Sequence, residues 1–145
     1  MNLIRFVDVP ARILMALLFL VSGFSKLAEN TAIQGYMRAY GVPGILSWPA
    51  AAWEISAGVL LLIGLWIRPL SVLLAGWRLL TAVIFHTAFA DQNQMINFFK
   101  NMTMAGAFLL ISRTGPDAFS VDGWRRTLIS RTGTQIGATS RGNAS

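Results

Sequence analysis

The chain has 145 residues, a net charge of +6 and no cysteine; 54% of it is hydrophobic and only 12% charged, at a mean hydropathy of +0.57. A soluble domain carries roughly 25% charge, so one compact membrane unit is the better reading. Without cysteine there is no disulfide, thiolate iron–sulfur ligation or thiol chemistry, and one histidine, His86, argues against bis-His haem and against zinc held by several imidazoles.

The first apolar run goes from about Val9 to Leu27, with Arg5 ahead of it, Arg12 near its start and Lys26 at its end. It has no A-x-A cleavage site and outlasts an ordinary signal-peptide core, so it reads as a span. Residues 28–47 read as a polar loop broken by Gly41, Pro43 and Gly44. The second run is Trp48 to Trp66, with Pro49 in its first turn, where a missing N–H does no harm. Arg68-Pro69 makes a short turn into a third run, Pro69 to about Ala90. After Asp91 to Gln94, the fourth run reaches from Met95 to Ser112. Each run is roughly 18–22 residues, enough to cross a ~30 Å hydrocarbon core. Trp48, Trp53, Trp66 and Tyr40 fall near run ends, as an interfacial aromatic belt would. The tail over 126–145, rich in Ser, Thr, Gly and Arg, lacks apolar periodicity and reads as disordered.

The expected fold class is therefore an all-α membrane protein, a four-transmembrane-helix bundle over residues 1–125. Arg5, Arg12, Arg68, Arg113, Arg125, Arg126 and Arg131 lie on one side, Arg38 and the end residue Lys26 on the other. The positive-inside rule then puts both termini in the cytoplasm. This placement of arginines suits topology and anionic lipid, and no nucleic-acid recognition motif accompanies it.

Ionisable residues inside such runs are functional-site candidates by default, since each costs on the order of 2.5–3.5 kcal/mol on insertion scales. Lys26, Glu54, His86 and Lys100 come from four different runs and all fall in the outer third of the bilayer, so a shared interior cluster is expected. Ser22, Ser25 and Lys26 form a polar stripe on the first helix; Asn97, Lys100, Asn101 and Met104 form one on the fourth. Ala50, Glu54 and Gly58 give the second helix a face of small residues around its acid. Glu54 is expected to pair with Lys100 or Lys26, and Arg78, near the midplane, to snorkel or pair in the interior, the alternative being that it lines a cavity continuous with the outer cluster. A purely structural cluster, locking the helices together, is the competing expectation. No phosphate-binding, dinucleotide, H-E-x-x-H or nucleophile–base signature is present, so nucleotide, metal and hydrolase chemistry are not expected.

The stretch from Ala16 to Leu27 with its S-G-x-x-K, the Y-G-V-P at Tyr40 to Pro43, and W-E-I-S-A-G from Trp53 resemble the DoxX family of small bacterial membrane proteins. Phe85-His86, the Q-M-I-N-F-F-K-N of Gln94 to Asn101, Met104 to Gly106 and the closing G-P-D-A-F-S-V-D add to that resemblance. It implies a multi-pass inner-membrane protein linked to quinol or thiosulfate:quinone oxidoreduction, with Lys26, Glu54, His86, Lys100 and Asn101 at the motif positions. The third helix is usually apolar in that family, and Arg78 departs from that pattern.

Together these readings give His86, Lys100 and Glu54 as candidate catalytic residues, and Lys26, His86, Lys100 and Asn101 as candidates for holding a quinone. His86 would relay a proton, the lysines would stabilise negative charge and Glu54 would hold them in place. A chain without its own redox centre would need an electron-donating partner protein. The alternatives are a membrane scaffold or assembly factor and a small-solute or proton carrier. A homodimer is a further expectation, through small residues such as Ala52, Ser56 and Gly58.

Overall fold

The structure, a computed structural model, describes residues 4–117 and 119–130. Those residues form helices joined by short turns, with no strand: α1 (Ile4–Ala28), α2 (Asn30–Ala39), α3 (Ser47–Ile63), α4 (Ile67–Phe85) and α5 (Gln92–Thr114). A 3-10 turn over Gly44–Leu46 leads into α3, and the backbone is helical again over 121–130. That last helix carries past Arg125 into the segment read from sequence as tail; residues 131–145 lie outside the described residues.

Among the described residues, three stretches are long and apolar enough to cross a membrane: Val7–Ala28, Gly44–Ile63 and Ile67–Phe85. Helix α5 matches them in length, at 23 residues, but carries Gln92, Asn93, Gln94, Asn97, Lys100 and Asn101 and is less apolar. Large aliphatic and aromatic side chains such as Leu14, Val21, Phe24, Val72, Leu80, Val83 and Leu110 point outward, where a bilayer would solvate them.

The helices pack as two close pairs, α1 along α3 and α4 along α5. Small residues set the first pair. A Cβ on Gly23 would lie 2.6 Å from Ile55 Cγ1, and one on Gly58 would lie 2.9 Å from Leu20 and 3.2 Å from the Ala16 carbonyl. Gly58, read from sequence as a dimer surface, is thus taken up by α1 inside the chain. The pairs meet over Ala16, Phe19, Ala57, Leu61, Leu74, Ala75, Ala105 and Phe108, with the Phe19 and Phe108 rings edge-on at 5.5 Å.

The turn between α3 and α4 is Gly64 to Trp66, earlier than the Arg68-Pro69 turn expected. Gly64 ends α3 at φ 74°, and the Leu65 N–H returns to the Leu60 carbonyl, closing a Schellman motif. Arg68 and Pro69 then fall in the first turn of α4, which tolerates proline. The G-P-D-A-F-S-V-D segment folds back against this turn. Asp117 pairs with buried Arg12 at 3.2 Å, and Asp122 accepts the Ile67 N–H at 3.0 Å, capping α4 from a distant part of the chain. This clasp closes the end of the bundle where α1 and α4 begin. The polar residues gather at the other end.

Helix α2 occupies what reads as a loop in the sequence. Its Asn30 side chain donates to the Lys26 carbonyl and to Ser47 Oγ, which ties the end of α1 to the start of α3. Its Met37 is buried beneath, so the helix roofs the end of the bundle.

A polar pocket under the short helix

Glu54 is 1% exposed and organises the site. Its Oε2 accepts from Lys26 Nζ at 2.6 Å and its Oε1 from the Trp77 indole N–H at 3.0 Å. Lys26 also donates to Ser22 Oγ at 2.9 Å, one turn back on α1. One carboxylate thus ties α1, α3 and α4 together. The sequence left two partners open for Glu54, and the structure chooses Lys26.

Beside this lock lies a cavity of about 550 Å³ with contributions from all five helices. Lys26, Glu54, Arg78, His86 and Asn101 line it, with Trp53 and Trp77 forming an aromatic wall at 6.3 Å between ring centroids. Ile33, Tyr36 and Met37 of α2 close its top. The volume lies within the ~300–1,000 Å³ of small-molecule sites, and an apolar wall with a few convergent polar groups is their usual make-up.

His86 ends α4, where its Nδ1 lies 2.8 Å from Gln94 Oε1. The Gln94 amide N–H donates to the Tyr40 hydroxyl at 3.3 Å. With the amide so oriented, Nδ1 is the donor to Gln94, and in the neutral ring Nε2 is then the acceptor. The Tyr36 hydroxyl donates to the Phe85 carbonyl at 3.4 Å. Partial burial, reinforced by Tyr40, holds the Tyr36 phenol above its ordinary pKa.

Arg78 turns inward. It is 8% exposed, with its guanidinium 4.2 Å above the Phe19 ring, so it pairs with an aromatic face and does not snorkel. Its Nε and Nη2 have no hydrogen-bond partner among the described residues. The same holds for Trp53 Nε1 and for Asn101 Oδ1, although Asn101 Nδ2 donates to the Asn97 carbonyl at 2.9 Å.

Lys100 does not join the cluster. It is exposed and borders a separate groove with Leu18, Met95, Ile96, Phe99, Thr103 and Met104. The inward face of α5 is Asn101, Ala105 and Phe108, and Lys100 lies about 100° around the helix from Asn101. Of the residues singled out in the sequence, the structure therefore gathers Lys26, Glu54, Arg78, His86 and Asn101. Sequence reasoning missed Trp77 and placed Trp53 in an interfacial belt. An indole N–H well inside an apolar run needs an acceptor, and for Trp77 that requirement could have pointed to Glu54.

Comparison with known proteins gives a match to the DoxX family over residues 7–87. Inner membrane protein YqjF of Escherichia coli K12 is 41% identical over 112 residues, covering 77% of this chain and 86% of that protein. Inner membrane protein YphA of the same organism is 38% identical over 138 residues, covering 84% and 99%. No solved structure matches. Lys26, Glu54, Arg78 and His86 fall inside the family match, and Asn101 and Lys100 beyond it.

Proposed function

This chain belongs to the DoxX family and is a multi-pass protein of the inner membrane, and on that premise we propose that it is a quinone-binding subunit of a redox assembly. The observation that carries this reading is the cavity itself. It is an aromatic-walled space of about 550 Å³, next to three apolar spans, with a histidine and a lysine on its lining. A quinone ring suits the Trp53–Trp77 wall, and its polyprenyl tail suits the aliphatic surroundings. Lys26 offers a positive charge beside a ring oxygen, and His86 Nε2 accepts the proton of a quinol hydroxyl. Glu54 holds Lys26 and Trp77 and acts as a positioning residue. Lys100 takes no part. With no cysteine and one histidine, electrons pass to or from a partner protein, which this reading requires.

In the same reading α5 is a fourth span and both termini are cytoplasmic. At 1.5 Å per residue, 23 residues reach about 34 Å, which exceeds the hydrocarbon core, and α5 turns Asn101 inward.

The test is the quinone content of protein purified in mild detergent, measured after solvent extraction. The parent should retain quinone, His86→Ala should retain less while still inserting, and Lys100→Met should match the parent. A parent that retains none, and binds none when it is added, overturns the proposal. One observation favours a second reading, a membrane scaffold: both oxygens of Glu54 are engaged within the chain, as a static lock would have them. On that reading only stability responds to substitutions in the pocket.

A further inference from the structure

The helix over 121–130 starts where two spans end. The Asp122 N–H donates to the Gly64 carbonyl at 3.1 Å, and the Asp122 carboxylate accepts the Ile67 N–H at 3.0 Å. Its first turn is thus tied to the turn between α3 and α4. Ser120 caps it, its Oγ accepting the Gly123 N–H at 3.0 Å and donating to the Asp117 carbonyl at 2.6 Å. Gly123 packs so closely on that carbonyl that a Cβ would have no room. Because α3 ends at Ile63 and α4 begins at Ile67, this anchor sits at the depth where both spans leave the hydrocarbon.

Past the anchor the side chains turn outward. Phe119, Trp124 and Ile129 are 69%, 64% and 72% exposed, and Trp66 on the anchoring turn is 63% exposed. Bilayer hydrocarbon accounts for outward apolar side chains on the spans, but these lie beyond the span ends. A helix of 10 residues is also short to persist in water alone, where even ~12–15 residues are marginal. Arg125 and Arg126 follow Trp124 directly and are exposed. Arg68 and Arg113 stand at the same end of the bundle, and none of these four arginines makes an ion pair among the described residues. Asp117 and Asp122 are already engaged, which leaves Asp8 alone to offset them. Tryptophan beside paired arginines at span-end depth is the make-up of an interfacial helix, its apolar side chains in the headgroup–acyl boundary and its cations on phosphates.

We propose that the helix over 121–130 lies in the plane of the membrane surface and binds anionic phospholipid. Phe119, Trp124 and Ile129 enter the interface, and Arg125 and Arg126 meet the lipid phosphates. The inference depends neither on what the cavity binds nor on which side of the membrane this end of the bundle faces.

The chain has no cysteine, so a single introduced one can be spin-labelled without background. Ile129→Cys and Thr127→Cys place labels about 160° apart around the helix, both at exposed positions where a label fits without disturbing the bundle. The full-length variants are measured in nanodiscs of phosphatidylcholine, with and without phosphatidylglycerol. Lipid-soluble oxygen should reach the label at position 129 several-fold better than a water-soluble nickel chelate does, and the label at position 127 should show the reverse. Phosphatidylglycerol should widen that contrast, and combining Arg125→Gln with Arg126→Gln should remove the widening. Nickel reaching both positions alike would place the helix in water and overturn the proposal. Position 129 closed to both reagents would mean that protein covers it, a second copy or residues 131–145, and would overturn it too. So would a contrast that phosphatidylglycerol leaves unchanged, or a phosphatidylglycerol effect that survives loss of both arginines.

Discussion

Removing Lys26 should harm this protein more than removing the charge of Glu54, although the two are partners. At 2.6 Å and an effective dielectric of ~20, the pair's attraction is about 6 kcal/mol before desolvation is subtracted. The Glu54 side chain is 2% exposed and that of Lys26 is 22% exposed. Lys26→Met leaves a carboxylate sealed in the bundle with only the Trp77 N–H, at a cost of about 3–5 kcal/mol. Glu54→Gln leaves the lysine charged but able to lean on Ser22 and toward the surface, and its amide oxygen still accepts from Trp77, so the cost is about 1–3 kcal/mol. The double variant removes both charges of this pair, leaving neither orphaned, and should be more stable than Lys26→Met alone. Thermal unfolding followed by circular dichroism in one detergent gives the order: parent, Glu54→Gln, Lys26→Met, with the double variant above the last. A Lys26→Met protein that melts with the parent, or melts above Glu54→Gln, refutes the lock.

Three further outcomes are expected. Gly23→Val should destabilise the α1–α3 pair by about 1–3 kcal/mol in the same melts, because its Cβ would crowd Ile55 and the Ala51 carbonyl. Asp117→Ala, which strands buried Arg12, should cost more than Asp122→Ala, which removes one capping bond worth about 0.5–2 kcal/mol. A reporter enzyme active only in the periplasm, fused after the last residue, should be silent; activity would reverse the proposed topology.

Much of this site was legible because charge inside an apolar run is conspicuous. Lys26, Glu54 and His86 stand out at one depth, and Asn101 shares a stripe with Asn97. Depth fixes height in the bilayer but not direction around a helix, and so Lys100 was grouped with residues it does not face. Its neighbour Asn101 takes the inward position. The aromatic wall was hidden for the opposite reason, since Trp53 and Trp77 sit among other apolar residues and give no contrast. Helix α2 escaped notice because a short helix with Gly35 at its centre has no long apolar run, and only the spacing of Ile33 and Met37 marks its inner face. The α3–α4 turn was set by Gly64 adopting positive φ, while Arg68-Pro69 drew attention as the more familiar breaker.

The most direct test of the pocket as a quinone site is photolabelling of the membrane-embedded protein with an azidoquinone, followed by peptide mapping. Labels should fall on the stretches holding Trp53 and Trp77 to His86, and excess unlabelled quinone should suppress them. Labels confined to the groove of Leu18, Phe99 and Met104, or labelling that excess quinone does not suppress, would contradict it.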